Sequence, residues 1–163
     1  MDIKKITLIF EEYPTPEQLN SSDRSLLDHA IRASHSAYAP YSKFRVGAAV
    51  RLSDGEVILG NNQENAAYPS GLCAERVALF YAQAHHPDKS VQAIAIYGNS
   101  ADFKLKKPVT PCGAFRQVIA EYEHRHHVKT RIIMANGEGA VQVADGADNL
   151  LPLMFYLEEL KKP

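Results

Sequence analysis

The chain has 163 residues, of which 45% are hydrophobic and 23% charged, a composition that excludes a disordered or fibrous protein. Its 18 Lys and Arg residues are balanced by 19 Asp and Glu, so no broad basic surface favours a nucleic-acid partner. Neither a signal peptide nor a run of membrane-spanning length is recognisable, so we expect a cytoplasmic protein with no membrane partner. The length predicts a single domain over residues 1–163, in which residues 1–20 form an N-terminal strand and connector.

Hydrophobic periodicity and turn residues predict five elements in the first part of the chain. These are a strand over residues 3–10, a connector over 13–18, a helix from caps at Ser21, Ser22 or Asp23 as far as Pro40, and strands over 46–52 and 56–59. The last two strands are joined by Asp54 and Gly55, a dipeptide that strongly favours a hairpin turn.

The second part of the chain alternates helices with short apolar strands. The expected elements are a polar loop over residues 61–72, a buried helix over 73–84, a strand over 91–97, a helix over 112–123, strands over 131–135 and 140–143, and an amphipathic helix over 150–160. Strands alternating with helices in this order predict an α/β fold, namely a three-layer α/β/α sandwich with a mixed central sheet.

Two of these helices begin with a cysteine, at Cys73 and Cys112. The positive end of a helix dipole favours a thiolate, which is a metal ligand, so both residues are candidates to hold zinc. A catalytic zinc needs three protein ligands, and the third is expected one helical turn after Cys112, on the same face. Glu75, two residues after the first cysteine, would stand beside the metal. Taken alone, these cysteines could also be inert core thiols, and Glu75 an ordinary first-turn acid.

The sequences around these cysteines resemble the zinc-dependent cytidine deaminase family, in its small three-cysteine bacterial class. The resemblance lies in CAE at 73–75 and PCGAFRQ at 111–117, which are similar to the deaminase signature, and extends to AYAPYSKFRVGAAV at 37–50 and GNNQENAAYPSGLCAERVALF at 60–80. It implies a cytidine deaminase-like fold and the hydrolytic deamination of cytidine or deoxycytidine in pyrimidine salvage. Zinc would activate a water that attacks C4 of the base, and Glu75 would carry protons to N3 and to the leaving ammonia.

The resemblance also implies a role for several other residues. Cys73 and Cys112 would bind zinc, Arg76 would offset the thiolate charge, and Phe155 would close a neighbouring subunit's site in a homotetramer. On the substrate side, Phe44 would lie beside the base, Asn62 and Glu64 would bind the ribose, and Ala74 would contact the substrate. Read without the resemblance, Phe44 would be a core aromatic, and Asn62 and Glu64 a solvated turn.

One position departs from the family pattern. Phe115 stands where the family has its second P-C-x-x-C cysteine, and a phenyl ring cannot coordinate zinc. Loss of one protein ligand should weaken zinc binding by orders of magnitude. Three hypotheses therefore remain open: a cytidine deaminase with weak zinc binding, a non-catalytic nucleoside-binding or structural relative, and a deaminase for a modified aminopyrimidine nucleoside. None of the seven histidines is placed to replace the missing ligand.

Overall fold

A computed structural model describes residues 1–156 of the protein. Six strands and three helices follow one another along these residues: β1 (Glu11–Tyr13), α1 (Ser21–Ser34), β2 (Phe44–Leu52), β3 (Val57–Asn61), α2 (Ala74–His85), β4 (Val91–Ser100), α3 (Gly113–His126), β5 (Arg131–Asn136) and β6 (Val141–Asp145). The strands form one sheet in the order β1-β6-β5-β4-β2-β3. Because β4 pairs with β5 in parallel and the other neighbours are antiparallel, the sheet is mixed, as predicted.

Helices cover both faces of the sheet and give the three layers expected from the sequence. Alternate residues of a strand point to opposite faces, and β4 shows this clearly. Ile94 and Ile96 belong to the core shared with α2 and α3, whereas Ala93 and Ala95 belong to the core shared with α1. Helices α2 and α3, which directly follow Cys73 and Cys112, therefore lie on the same side of the sheet.

Helix α1 packs unusually close to β2 at Gly47. A Cβ atom at this glycine would lie 2.0 Å from the Ala30 carbonyl oxygen and 2.5 Å from the Ser34 backbone nitrogen. Any other residue would push the helix away from the sheet. This contact fixes the end of α1, and with it the start of the loop that leads into β2.

The N-terminal strand predicted over residues 3–10 is wrong. The observed strand is the later Glu11–Tyr13, which pairs with β6 through Glu11 opposite Val143. Upstream of it, the Ile9 backbone N–H donates to the Asn149 side chain at 2.8 Å and not to a strand. Alternation shows only that a segment can form a strand, whereas strand formation needs a neighbour with free backbone groups.

The cap predicted for α1 lies one residue earlier than expected. Asn20 is the N-cap, and its side-chain oxygen accepts the Asp23 backbone N–H at 2.9 Å. The Asp23 carboxylate is instead buried against Arg131, whose Nε donates to it at 2.7 Å. Asp23, which the local sequence predicts as a possible helix cap, therefore forms a long-range ion pair.

The expected burial of α2 on all sides is also wrong. Ala74, Ala78 and Ala82 are fully buried, but Phe80 is 44% and Tyr81 51% exposed. The helix therefore has one face on the sheet and one apolar face at the surface of the chain.

The amphipathic helix predicted over residues 150–160 is not formed in its first part. Residues 151–156 have no helical assignment, and residues 157–160 lie outside the described part of the chain. Side chains of α3 bind the backbone groups that a helix would need: Arg116 donates to the Leu150 carbonyl at 2.6 Å, and Gln117 bonds both the N–H and the carbonyl of Phe155. Among residues 1–156, no helix is both long and apolar enough to cross a membrane.

Candidate active site

The first turn of α2 brings the predicted proton carrier into a buried position. Cys73 is the N-cap residue in an extended conformation, and Glu75 lies in the first turn and is 6% exposed. Gly60 of β3 permits this, because a Cβ atom there would lie 2.5 Å from both the Ala74 carbonyl oxygen and the Ala78 backbone nitrogen. The close approach of strand and helix holds Glu75 against the sheet.

Burial governs the protonation of both groups at this helix start. It raises the pKa of the Cys73 thiol to about 11, and the negative charges of Glu75 and Cys112 add to the effect. The backbone N–H and guanidinium of Arg76 act in the opposite direction without compensating. The free thiol is therefore protonated at neutral pH, contrary to the expectation from the helix dipole alone. Desolvation likewise raises the pKa of Glu75, so this carboxyl holds a proton more readily than an exposed glutamate.

The first turn of α3 presents one thiol to solvent and one ring to the core. Cys112 is the N-cap residue and is exposed. Phe115, one turn further on, is 0% exposed and belongs to the same buried cluster as Ala74 and Ala78 of α2. The ring is therefore part of the core on the face of the sheet that α2 and α3 cover. We refer to Cys73, Glu75, Cys112 and Phe115 as the thiol end of the site.

The donor atoms of the thiol end do not fit a zinc centre with three protein ligands. Cys73 and Cys112, the N-cap residues of α2 and α3, supply two sulfurs. Phe115 stands at the position where the sequence predicts the third ligand. No group of three or more His, Cys, Asp or Glu side chains suited to a metal occurs within residues 1–156. A catalytic zinc site built from side chains of this part of the chain is therefore one ligand short.

Two loop segments opposite the thiols are joined by a dense set of hydrogen bonds. Asn62 accepts the Val46 backbone N–H at 2.8 Å and donates to the Phe44 carbonyl at 2.9 Å. Glu64 accepts the Tyr41 backbone N–H at 2.9 Å and the Ser42 hydroxyl. We refer to residues 41–44 and 62–64 as the loop end of the site.

A cavity of about 800 Å³ lies between the loop end and Cys73. This volume is within the range of about 300–1,000 Å³ that is typical of small-molecule sites. Of the residues predicted to form the site, those in its lining are Asn62, Glu64 and Cys73. Those outside the lining are Phe44, Ala74, Glu75, Arg76, Cys112 and Phe155. The structure thus brings the predicted ribose pair to the same cavity as the first thiol.

Phe44, which is predicted to lie beside the base, packs against a second aromatic residue. Its ring stacks on Phe103, with centroids 6.2 Å apart and an interplanar angle of 23°. A Cβ atom at Gly98 would lie 3.0 Å from the Phe44 ring and 2.4 Å from a methyl group of Val109. Phe44 is thus held against β4 and the loop that follows it. The contact of Phe103 with Phe44 could not be predicted from the sequence, because the loop that carries Phe103 has neither strand nor helix periodicity.

The two supporting residues are placed at separate points. The guanidinium of Arg76 lies 5.9 Å from the centroid of the Phe80 ring, on the first turns of α2. Phe155 is 54% exposed, and its backbone is held by Gln117 of α3 at 2.8 and 3.2 Å. The Phe155 ring is thus presented at the surface of the chain and is not part of this chain's own cavity lining.

Comparison with known proteins identifies the family of the chain. A family model described as "Cytidine and deoxycytidylate deaminase zinc-binding region" matches residues 20–130. A cytidine deaminase of Halalkalibacterium halodurans is 42% identical over 135 residues, which are 83% of this chain and 95% of the relative. The chain belongs to the cytidine deaminase family. This membership assigns it to the hydrolases that act on C–N bonds.

Solved structures of cytidine deaminases have the same fold. The enzyme of Burkholderia pseudomallei is 41% identical, with a TM-score of 0.70 over 80% of this chain and 97% of that chain. The enzyme of Mycobacterium tuberculosis is 29% identical, with a TM-score of 0.62 over 82% and 96% of the two chains. The predicted cytidine deaminase-like fold is thus confirmed, and β1, which precedes residue 20, lies outside the matched family region.

Proposed function

We propose that this chain binds a cytidine-type nucleoside in the cavity between the loop end and Cys73, and that it hydrolyses the 4-amino group of the base slowly. The observation that carries the proposal is the buried Glu75, which lies two residues from a thiol that lines a cavity of ligand size. The identity of 42% to a cytidine deaminase supports the choice of substrate. The sugar would lie against Asn62 and Glu64, with the base toward Cys73.

The proposed reaction consumes one water and releases one ammonia. The oxygen of water adds to C4 of the base while Glu75 takes a proton from the water and transfers it to N3. The tetrahedral adduct then collapses: Glu75 passes the proton of the C4 hydroxyl to N4, the C4–N4 bond breaks, N4 leaves as ammonia, and the 4-carbonyl of the uridine product remains. A buried carboxyl with a raised pKa is suited to this work because it takes up a proton more readily than an exposed glutamate does. Such general acid–base catalysis contributes typically about 10²–10⁴-fold in rate.

We propose further that zinc binding by this chain is weak. Cys73 and Cys112 would be its protein ligands, and Phe115 supplies no donor atom. Structural zinc sites contribute on the order of 10 kcal/mol or more, so the loss of one ligand is expected to lower affinity by orders of magnitude.

A second candidate is a family member that binds nucleosides but has lost the chemistry. It is favoured by the complete burial of Phe115, which makes the substituted residue an integral part of the core. Both candidates predict nucleoside binding, and they differ in turnover.

The experiment that separates them combines three measurements on the purified protein. Metal analysis gives the zinc content, chromatography of cytidine and deoxycytidine reactions gives uridine or deoxyuridine formation, and calorimetry gives nucleoside affinity. Slow product formation that rises with added zinc supports the deaminase. Binding without product, even with added zinc, supports the second candidate, and the absence of both binding and product overturns both. A modified aminopyrimidine nucleoside turned over faster than cytidine would shift the substrate to the third class considered above.

We also propose that the protein acts in cytoplasmic pyrimidine salvage as a homotetramer, in which Phe155 of one copy closes the site of another. The exposed ring of Phe155 and the exposed Phe80 and Tyr81 of α2 are apolar groups that an assembly would cover. Light scattering during size-exclusion chromatography tests the assembly. A monomer at micromolar concentration would contradict it.

A further inference from the structure

Ser42 connects the two recognition residues of the loop end. Its hydroxyl donates to Oε1 of Glu64, and the same hydroxyl oxygen accepts the Phe44 backbone N–H at 3.0 Å. The Phe44 carbonyl in turn accepts the Asn62 side-chain amide at 2.9 Å. One serine hydroxyl therefore joins the carboxylate to the strand that carries the aromatic residue.

The remaining contacts of Glu64 leave little freedom to its carboxylate. Oε2 accepts the backbone N–H groups of Tyr41 at 2.9 Å and of Ser42 at 3.3 Å. A carboxylate offers about four acceptor positions, two on each oxygen. Three are in use within the chain, and the fourth is on Oε1, the oxygen that Ser42 binds. A ligand hydroxyl would therefore have to donate to Oε1.

The backbone between Ser42 and Phe44 is held in an uncommon conformation that makes this arrangement possible. Lys43 has a φ of 55°, in the left-handed region that residues other than glycine seldom adopt. The turn is closed by the Lys43 backbone N–H, which donates to the Ala39 carbonyl at 3.2 Å. A residue other than glycine adopts this backbone conformation only when surrounding contacts stabilise it. Such strained positions are common at ligand-binding sites.

We propose that Ser42 is a positioning residue for sugar recognition: its hydroxyl orients the free acceptor position of Glu64 Oε1 toward the cavity, so that a nucleoside with sugar hydroxyls is preferred over one without them. Ser42, Glu64 and Asn62 all line the cavity, which places this acceptor at the ligand site. The inference rests on the proposed nucleoside-binding function and adds to it the residue that sets sugar selectivity. Ser42 acts through Glu64 and needs no contact with the ligand.

The test compares calorimetric affinities for cytidine and for 2′,3′-dideoxycytidine, which lacks both ring hydroxyls. The wild-type protein is expected to prefer cytidine. Ser42→Ala should weaken cytidine binding about 10-fold, as for the loss of a hydrogen bond to a charged group, and change dideoxycytidine binding less than about twofold. Ser42→Thr keeps the hydroxyl and should retain the preference. Ser53→Ala, on an exposed turn between β2 and β3, is the matched control and should change neither affinity.

Three results would overturn the inference. If Ser42→Ala weakens both ligands equally, the serine only supports the loop and does not set selectivity. If Ser42→Ala keeps the wild-type preference, the carboxylate is oriented without it. If the wild-type protein binds neither nucleoside, the proposed function itself fails and the inference fails with it. Should Ser42→Ala not fold, the nearly isosteric Ser42→Cys, a much weaker donor, repeats the comparison.

Discussion

The two ends of the site differ in how complete they are within one chain. At the loop end, Asn62 and Glu64 have backbone and side-chain partners at hydrogen-bond distance, and both face the cavity. At the thiol end, Cys73 and Glu75 are in place, but Phe115 fills the core where a third ligand is expected. In the proposed function, binding and chemistry thus rest on separate groups, so one substitution should impair the chemistry without disturbing the binding. The predictions below test this separation.

Phe115→Cys should have the largest effect. A third thiolate is expected to raise zinc affinity about 100-fold or more and to increase turnover with it, because a full set of ligands contributes on the order of 10 kcal/mol. The metal-free variant should also lose about 2–4 kcal/mol of unfolding free energy, since a buried ring is replaced by a smaller group. Metal titration, product formation and urea denaturation measure these changes.

Phe115→Ala is the matched control for that variant. It opens a similar cavity without a sulfur, so it should lose stability and gain no zinc affinity. Equal zinc binding by the two variants would show that space and not a ligand was missing. An unchanged turnover in Phe115→Cys, despite bound zinc, would show that the thiol end has diverged elsewhere.

Glu75→Gln should lower turnover by about 10²–10⁴-fold, because the amide cannot accept or return a proton. The expected change in cytidine affinity is less than about threefold, because the amide has nearly the same size as the carboxyl and the lost group acts on proton transfer. Steady-state rates and calorimetry, in the more active of the wild-type and Phe115→Cys backgrounds, measure the two effects. Glu121→Gln, on the exposed side of α3, is the control. A large loss of cytidine affinity in Glu75→Gln would show that the thiol end also contributes to binding, and would contradict the proposed separation of binding from chemistry.

Asn62→Ala should damage the loop end in both fold and binding. It leaves the Val46 N–H and the Phe44 carbonyl without their side-chain partner, which costs about 1–3 kcal/mol of unfolding free energy. Cytidine affinity should fall as well. Asn99→Ala, at an exposed position of β4, should stay within about 0.5 kcal/mol of the wild type. Equal unfolding free energies of the two variants in urea denaturation would show that the Asn62 hydrogen bonds contribute little to stability.

The smallest effect is expected on the titration of Glu64. The Ser42 hydroxyl is the main cause that lowers the pKa of this carboxyl below its ordinary 4.5, and the backbone N–H groups of Tyr41 and Ser42 and the charge of Lys43 act in the same direction. The stabilisation by the carboxylate is therefore present above pH 4.5 and is lost as the pH falls through the lowered pKa. In Ser42→Ala the loss should move to higher pH, toward 4.5. NMR titration of the Glu64 carboxyl carbon measures this pKa. An unchanged pKa in Ser42→Ala would contradict the positioning role proposed for Ser42.

Local patterns predicted elements whose partners are close in the sequence. The hairpin of β2 and β3 followed from Asp54 and Gly55, and the two helix starts followed from the residues at Cys73 and Cys112. The strand expected over residues 3–10 and the first part of the helix expected over residues 150–160 are not formed. Distant groups, at Asn149 and on α3, bind backbone groups of those segments instead. All the predicted site roles remain predictions, those of Cys73, Ala74, Glu75, Cys112, Phe44, Asn62, Glu64, Arg76 and Phe155.

The sequence by itself determined the family, because membership depends on residue types at fixed spacing along helices and loops. It also predicted a missing zinc ligand at Phe115 and a proton carrier at Glu75, and both remain predictions. The tertiary structure decided the contacts and the burial of those residues. It buried the Phe115 ring in the core, raised the pKa of the Cys73 thiol by desolvation and moved Phe44 against Phe103. It also joined Ser42 to Glu64 across 22 positions of sequence. Burial and contacts between distant segments arise only when the chain has folded, so no local pattern could report them.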